Sequence, residues 1–258
     1  MFVRLFTSTL LVGAIATASL ADESKISFKK TQLDGAFRAE GVAVGDFNKD
    51  GKMDIAAGPV WYAAPDWKLH VIHSDGKEYQ PKGYSDCFNA WADDFNGDGW
   101  TDMLQITWPG KAAVWFENPQ GKDVPWKRHV ATPVASNESP QYQDIDRDGK
   151  RELIIGFAAE NPDGQDRRIG IARPADDPTA LWNVQPISEE GAPNSKRYAH
   201  GLGVGDVNSD GRMDVVVPQG WWEQPEDIAS TDWKFHAAPL GQPCADIHVY
   251  DIDGDGDA

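Results

Sequence analysis

An acidic nine-residue pattern, D-x-[DN]-x-D-G-x-x-[DE], recurs along the chain. Complete copies begin at Asp46, Asp94, Asp144 and Asp206, and a fifth, interrupted copy begins at Asp251. Oxygen-bearing side chains at positions 1, 3, 5 and 9, with a glycine at position 6 for the sharp turn, suit Ca²⁺. The spacing of roughly 50 residues between copies indicates a repeated structural unit. Each unit is therefore predicted to carry one calcium loop.

The predicted metal ligands are the oxygen side chains at these four positions, with about one Ca²⁺ per loop. They are Asp46, Asn48, Asp50, Asp54, Asp94, Asn96, Asp98, Asp102, Asp144, Asp146, Asp148, Glu152, Asp206, Asn208, Asp210, Asp214, Asp251, Asp253 and Asp255. An EF-hand would add a bidentate glutamate at position 12 and a helix on each side. Position 12 holds Ala57, Gln105, Ile155 or Val217 instead. Short β-branched or apolar runs follow position 9, which favours a loop between two strands.

Two further strands are predicted in each unit. One carries an aromatic pair and ends at a proline, as in the segments 60–65, 114–119 and 220–225; the next begins with a W-x-x-H motif at Trp67, Trp126 and Trp233. With the strand that leads into each loop, the unit has four strands, which is typical of a propeller blade. Because the tryptophans and histidines recur once per unit, we interpret them as packing residues rather than as one shared site.

By these motifs the sequence resembles the FG-GAP/VCBS-like repeat proteins, from about Lys25 to Ala258. The resemblance implies an all-β propeller of four-stranded blades, commonly seven, with Ca²⁺ at the hairpin between the first two strands of each blade. It implies no single activity. Some such proteins bind protein partners or glycans, and calcium-loaded propellers also occur among polysaccharide lyases and a sugar dehydratase.

Residues 1–21 read as a signal peptide: a charged start, a short apolar stretch and a small-x-small motif that ends at Ala21. An uncleaved anchor is the alternative. Residues 22–258 are then the propeller domain, secreted, periplasmic or at the cell surface, with no membrane span after cleavage. The sequence predicts four complete blades and the start of a fifth, truncated from a seven-bladed ring. Residues 25–33 are predicted to form an outer strand donated to the last blade.

The net charge of −17 argues against nucleic acid as a partner, because nucleic-acid binding needs a basic stripe. Many of the 41 acidic residues are predicted loop ligands, so bound calcium would neutralise much of the excess.

A second candidate site lies at the start of each loop-leading strand, which opens on the face opposite the loops. The residues six and five positions before each loop differ between units and are mostly polar. Glu40, Glu138 and His200 are candidate catalytic residues, and Asn89, Asp246 and His248 are candidate ligand-binding residues. The alternative is a solvated rim without chemistry.

Two functions follow as expectations. The first is a non-catalytic calcium-binding module or scaffold for an extracellular glycan or protein ligand. The second is a carbohydrate lyase or dehydratase, with Glu40, Glu138 and His200 acting as base and acid. No nucleophile-elbow, zinc-protease or phosphate-loop motif occurs in the sequence.

Overall fold

The structure, a computed structural model, describes residues 27–159 and 161–254. The chain divides into two compact units, residues 1–32 and 33–258. The predicted signal peptide and Asp255 lie outside the described residues. In the first unit, residues 27–32 are exposed and have no regular secondary structure. The outer strand predicted over residues 25–33 is therefore not formed in its described part.

The second unit contains four antiparallel sheets of four strands each, in which neighbouring strands are consecutive in the chain. The first two sheets contain β1 (Ala43–Gly45), β2 (Asp54–Ala57), β3 (Val60–Ala63), β4 (Lys68–Val71), β5 (Asn89–Asp93), β6 (Asp102–Ile106), β7 (Lys111–Glu117) and β8 (Lys127–Ala135). The others contain β9 (Gln141–Gln143), β10 (Glu152–Phe157), β11 (Arg168–Arg173), β12 (Asn183–Pro186), β13 (Gly203–Gly205), β14 (Asp214–Val217), β15 (Gly220–Glu223) and β16 (Lys234–Ala237). The four sheets confirm the prediction of four-stranded propeller blades.

Each acidic loop joins the first and second strands of its sheet. In the second sheet, Asp93 is paired with Asp102, so the loop closes directly on the end of the hairpin. The same register pairs Gly45 with Asp54 in the first sheet. We call the end of the sheets that carries these loops the loop face, and the opposite end the far face. In the described part of the chain, no helix is long and apolar enough to cross a membrane.

The apolar core lies in three seams between consecutive sheets. Strand β6 is buried along its whole length because it has a neighbouring sheet on each side. Its alternating side chains divide between the seams: Met103 belongs to the first seam and Leu104 to the second. This two-sided burial explains why the second strands are nearly continuous apolar runs.

Trp126, Trp182 and Trp233 fill the three seams, whereas Trp67 of the first sheet is half-buried and belongs to no seam. Trp126 is 7% exposed and packs against Phe47 at loop position 2, with ring centroids 5.8 Å apart. Its backbone N–H donates to Ile72 O of the preceding sheet at 2.9 Å. Trp182 occupies the same position in the second seam, 5.5 Å from Phe95. These contacts assign the recurring tryptophans to packing between blades.

The fifth unit has no strand among its described residues. Residues 245–250 were expected to form its first strand, but they have no regular secondary structure. Val249 still packs directly against Gly205 of β13, so closely that a side chain at residue 205 would collide with it. The segment thus follows the fourth sheet without a hydrogen-bonded partner strand on its other side in the described chain.

Candidate functional site

The acidic loops are folded by backbone donors to their own oxygen side chains. In the first loop, Gly51 N donates to Asp46 Oδ2 at 2.8 Å and Asp50 N donates to Asn48 Oδ1 at 2.9 Å. Gly51 has φ 81°, which favours glycine at position 6. The corresponding glycine donates to position 1 in the other three complete loops. The sequence pattern therefore gives the four complete loops the same backbone hydrogen bond from position 6 to position 1.

The position 9 carboxylate is buried below the loop. Asp102 is fully buried and accepts hydrogen bonds from Phe95 N at 3.1 Å and Asn118 N at 2.7 Å. Burial nevertheless raises its pKa from 3.8 to about 8, because these donors do not replace the lost solvation. Burial likewise raises the pKa of Glu152 to about 7. Burial also raises the pKa of Asp54 and of Asp214. A cation at the loop would favour the ionised forms.

The third loop shows that these residues fit a divalent cation. Asp144, Asp146 and Glu152 each place a carboxylate oxygen within 4.8 Å of the others. Asp144 Oδ1 is buried without a hydrogen-bond partner, so one oxygen of position 1 has no protein donor. Hard carboxylate oxygens are the ligand type that Ca²⁺ takes in proteins.

On the far face, two of the three predicted catalytic residues come together. His200 Nε2 lies 3.2 Å from Glu138 Oε2, and the two side chains are 44% and 25% exposed. The backbone holds the pair, because Glu138 N donates to Ala199 O at 2.9 Å. Glu40 is elsewhere: its carboxylate accepts the N–H of Ser85 at 3.1 Å and also the Ser85 hydroxyl. The predicted three-residue site is thus a pair with a separate carboxylate.

The predicted ligand-binding residues divide in the same way. Asp246 accepts a hydrogen bond from Gln141 Nε2 at 2.6 Å and lies 3.4 Å from His248 Nε2. Asn89 begins β5, and its Oδ1 is buried without a hydrogen-bond partner. The far face therefore carries several polar groups from different sheets rather than one closed cluster.

Comparison with known proteins agrees with the loop geometry. Residues 94–155, from the second acidic loop into β10, match the FG-GAP-like repeat family. That segment of the chain resembles one FG-GAP-like repeat. No curated protein matches it. Among solved structures, the chain is similar to a crystal structure of the rhamnogalacturonan lyase YesW, with 14% identity and a TM-score of 0.31. That alignment covers 83% of this chain and 38% of the lyase chain, so the present chain spans well under half of that structure.

An aromatic cluster on the far face was not predicted. Tyr84, Phe88 and Trp108 stand within 5.2–5.7 Å of one another, centroid to centroid. Trp108 Nε1 donates to the hydroxyl of Tyr198 at 3.1 Å. Tyr84 is 65% exposed and Tyr198 43% exposed. Phe88 lies six residues before the second loop, one of the variable positions expected on this face. Tyr84, Trp108 and Tyr198 lie in connections between strands, whose folding no repeat motif specifies.

A buried amide links successive blades, a second feature that was not predicted. Asn118 Nδ2 donates to Phe47 O in the loop of the first sheet at 2.9 Å. Gln224 Nε2 donates in the same way to Ile145 O in the third loop at 3.0 Å. We call Asn118 and Gln224 the seam amides; each directly precedes the proline that ends its segment. An Asn or Gln directly before that proline is the sequence feature that could have predicted these links.

Proposed function

We propose that this protein is a calcium-stabilised β-propeller module, exported from the cytoplasm, that binds a glycan on its far face. The single observation that carries the glycan proposal is the aromatic cluster of Tyr84, Phe88, Trp108 and Tyr198. The observation that supports calcium is the three-carboxylate group of the third loop.

The aromatic cluster suits a sugar ring. An aromatic face pairs with the C–H face of a pyranose, and a rigid ring loses little conformational entropy on binding. Phe88 and Trp108 support the exposed Tyr84 in edge-to-face or stacked contacts. Tyr198 presents a hydroxyl already oriented by Trp108. The cluster therefore offers a preorganised apolar surface with a polar edge, the combination that a glycan requires.

In this proposal calcium has a structural role. Position 1, 3, 5 and 9 oxygens would hold the ion, which supplies positive charge where carboxylates otherwise face one another. The carboxylate at position 9 already accepts a hydrogen bond from the backbone N–H at position 2. In the first loop, Asp54 accepts from Phe47 N at 2.9 Å. Because Phe47 packs on the seam tryptophan, order in the loop stabilises the contact between blades.

Replacing Trp108 with alanine is expected to weaken glycan binding by roughly two- to tenfold, since one stacking contact contributes about 0.5–1.5 kcal/mol. Tyr84→Ala should weaken it similarly with little effect on folding, because Tyr84 is 65% exposed. Trp100→Ala is the matched control, as Trp100 belongs to the second loop on the loop face. A glycan array followed by calorimetry on the best ligand measures the affinities.

The glycan proposal fails if no glycan is bound, or if Trp108→Ala and Trp100→Ala bind the ligand equally. Binding of a protein ligand with no glycan affinity would favour the scaffold function instead.

A second candidate function is a carbohydrate lyase or dehydratase, which the Glu138–His200 pair favours. A histidine held by a carboxylate can remove a proton from a sugar carbon, and His200 is accessible at 44% exposure. If this function is correct, His200→Ala should abolish formation of unsaturated sugar, followed by its ultraviolet absorbance. Glu138→Gln should reduce turnover less. Glycan binding without any turnover by the unaltered protein would exclude this candidate.

A further inference from the structure

Arg173 ends strand β11 and reaches into the third acidic loop. Its Nη2 lies 2.9 Å from Asp146 Oδ2, and its Nε lies 3.7 Å from Glu152 Oε1. Nη1 donates to Gln185 Oε1 at 3.4 Å, which holds the guanidinium in front of the loop. The side chain is 28% exposed, so the contact is partly shielded from solvent. The guanidinium therefore bridges positions 3 and 9 of the loop.

The two carboxylates that Arg173 contacts belong to the group that fits a divalent cation. Together with Asp144, Asp146 and Glu152 form the cluster of oxygens within 4.8 Å. A guanidinium is charged at all relevant pH values, and its forked donors match carboxylate oxygens. A calcium ion and Arg173 would therefore compete for the same oxygens.

By strand register, the residues equivalent to Arg173 in the other sheets are Ala63, Glu117 and Glu223, none of which is basic. Two of those loops do contact a basic side chain, but it comes from the loop itself and reaches position 5. Lys52 Nζ lies 3.0 Å from Asp50 Oδ2, and Lys52 is 50% exposed. Arg212 contacts Asp210 in the fourth loop. Only in the third loop, among those the structure describes in full, does a strand residue bridge positions 3 and 9.

The seam beside Arg173 differs as well. Asn118 and Gln224 bond to the preceding loop, whereas the third sheet has Pro174 at that position and Arg173, one residue earlier, turns to its own loop. A cavity of about 630 Å³ lies at this second seam, lined by Arg173, Tyr142 and Phe95 among others. It gives the guanidinium room to leave the loop.

We propose that Arg173 is a built-in competitor of calcium, which makes the third loop the weakest calcium site of the four. This inference rests on the proposed calcium binding. When calcium binds to the third loop, the Arg173 guanidinium breaks its contacts with Asp146 and Glu152 and moves into the adjoining cavity.

Arg173→Gln in the full chain tests the proposal. Arg173 is 28% exposed at the end of its strand, and glutamine keeps a polar side chain there without the charge, so the variant should fold. Calcium titration by calorimetry should show one site bound about fivefold more tightly than in the unaltered protein, the change expected for loss of one partly shielded ion-pair competitor. The gain should vanish in Asp144→Asn/Arg173→Gln, because that loop has then lost its position 1 carboxylate.

Arg168→Gln is the matched control. It removes the same charge from the same strand, but Arg168 pairs with Glu190 at 2.6 Å and contacts no loop carboxylate. Its calcium isotherm should match that of the unaltered protein.

Identical isotherms for Arg173→Gln and the unaltered protein would overturn the inference and leave calcium binding intact. A gain that survives Asp144→Asn, or an equal gain in Arg168→Gln, would overturn it as well. Absence of calcium binding in every variant would overturn both proposals. If circular dichroism shows Arg173→Gln to be unfolded, Arg173→Lys replaces it; lysine loses the forked geometry and should tighten the site about threefold. An unchanged site in Arg173→Lys would then contradict the inference.

Discussion

Chelation of calcium is expected to lower the melting temperature of this protein by at least about 10 °C. A ligand that binds only the folded state stabilises it by RT ln(1 + [L]/Kd). With Kd values of ~0.1–1 mM, as in extracellular calcium modules, ~10 mM calcium adds ~1.4–2.7 kcal/mol per site. Four independent loops then contribute about 6–11 kcal/mol, and each kcal/mol is about 2–4 °C in a domain of this size. Thermal melts in excess EGTA and in calcium measure the difference.

The pH dependence gives this prediction a distinguishing signature. Without metal, burial raises the pKa of Asp102 from 3.8 to about 8, so the folded state keeps a proton that the unfolded state has lost. Unfolding then releases protons between those values, and the free energy of unfolding should fall as pH rises from about 4 to 8. Calcium binds the ionised carboxylate and opposes that fall. The loss on chelation should therefore be larger at pH 8 than at pH 5.

Magnesium at equal concentration is the control, because Mg²⁺ demands a stricter octahedral shell and dehydrates reluctantly. It should restore little of the lost stability. Equal melting temperatures in EGTA and in calcium at both pH values would show that calcium does not stabilise the fold.

Asn118→Ala is expected to destabilise the fold by about 2–4 kcal/mol. Asn118 is 2% exposed and donates to Phe47 O at 2.9 Å and to Thr101 O at 2.8 Å. Alanine leaves both carbonyls without that donor, and a buried unsatisfied group costs about 1–3 kcal/mol. The first seam loses a link between sheets at the same time. Urea unfolding in saturating calcium measures the change.

Two variants make the Asn118 result specific. Asn118→Gln should retain most of the stability, because glutamine bridges the third seam at Gln224. Asn183→Ala should be nearly neutral, since Asn183 is exposed at the start of β12. A free energy of unfolding for Asn118→Ala within about 0.5 kcal/mol of the unaltered protein would contradict the assigned role.

The repeat made most of the fold predictable. Loop position 9 and the residue before position 1 must face each other once the loop closes a hairpin, and Asp93 pairs with Asp102 as this requires. The seam tryptophans followed from recurrence, because a residue needed in every blade packs between blades. These features depend on short-range pattern and on repetition, which the sequence displays directly.

The far face was less predictable because its contacts depend on long connections. Equivalent positions suggested that Glu40, Glu138 and His200 would share one site, yet Glu138 contacts His200 while the Glu40 carboxylate accepts hydrogen bonds from Ser85. Tyr198 reaches Trp108 across 90 residues of sequence. The expected first strand of the fifth unit did not form, since a strand needs hydrogen-bonded neighbours that the described chain does not supply there.

The most direct test of the calcium account is the anomalous difference map of crystals grown in calcium. We expect one calcium peak inside each of the four complete loops, with weaker occupancy in the third loop, where Arg173 competes. Each peak should lie in contact with the position 1 and position 3 oxygens, such as those of Asp94 and Asn96 in the second loop. A well-ordered map with no peak in any of these loops would contradict the central claim.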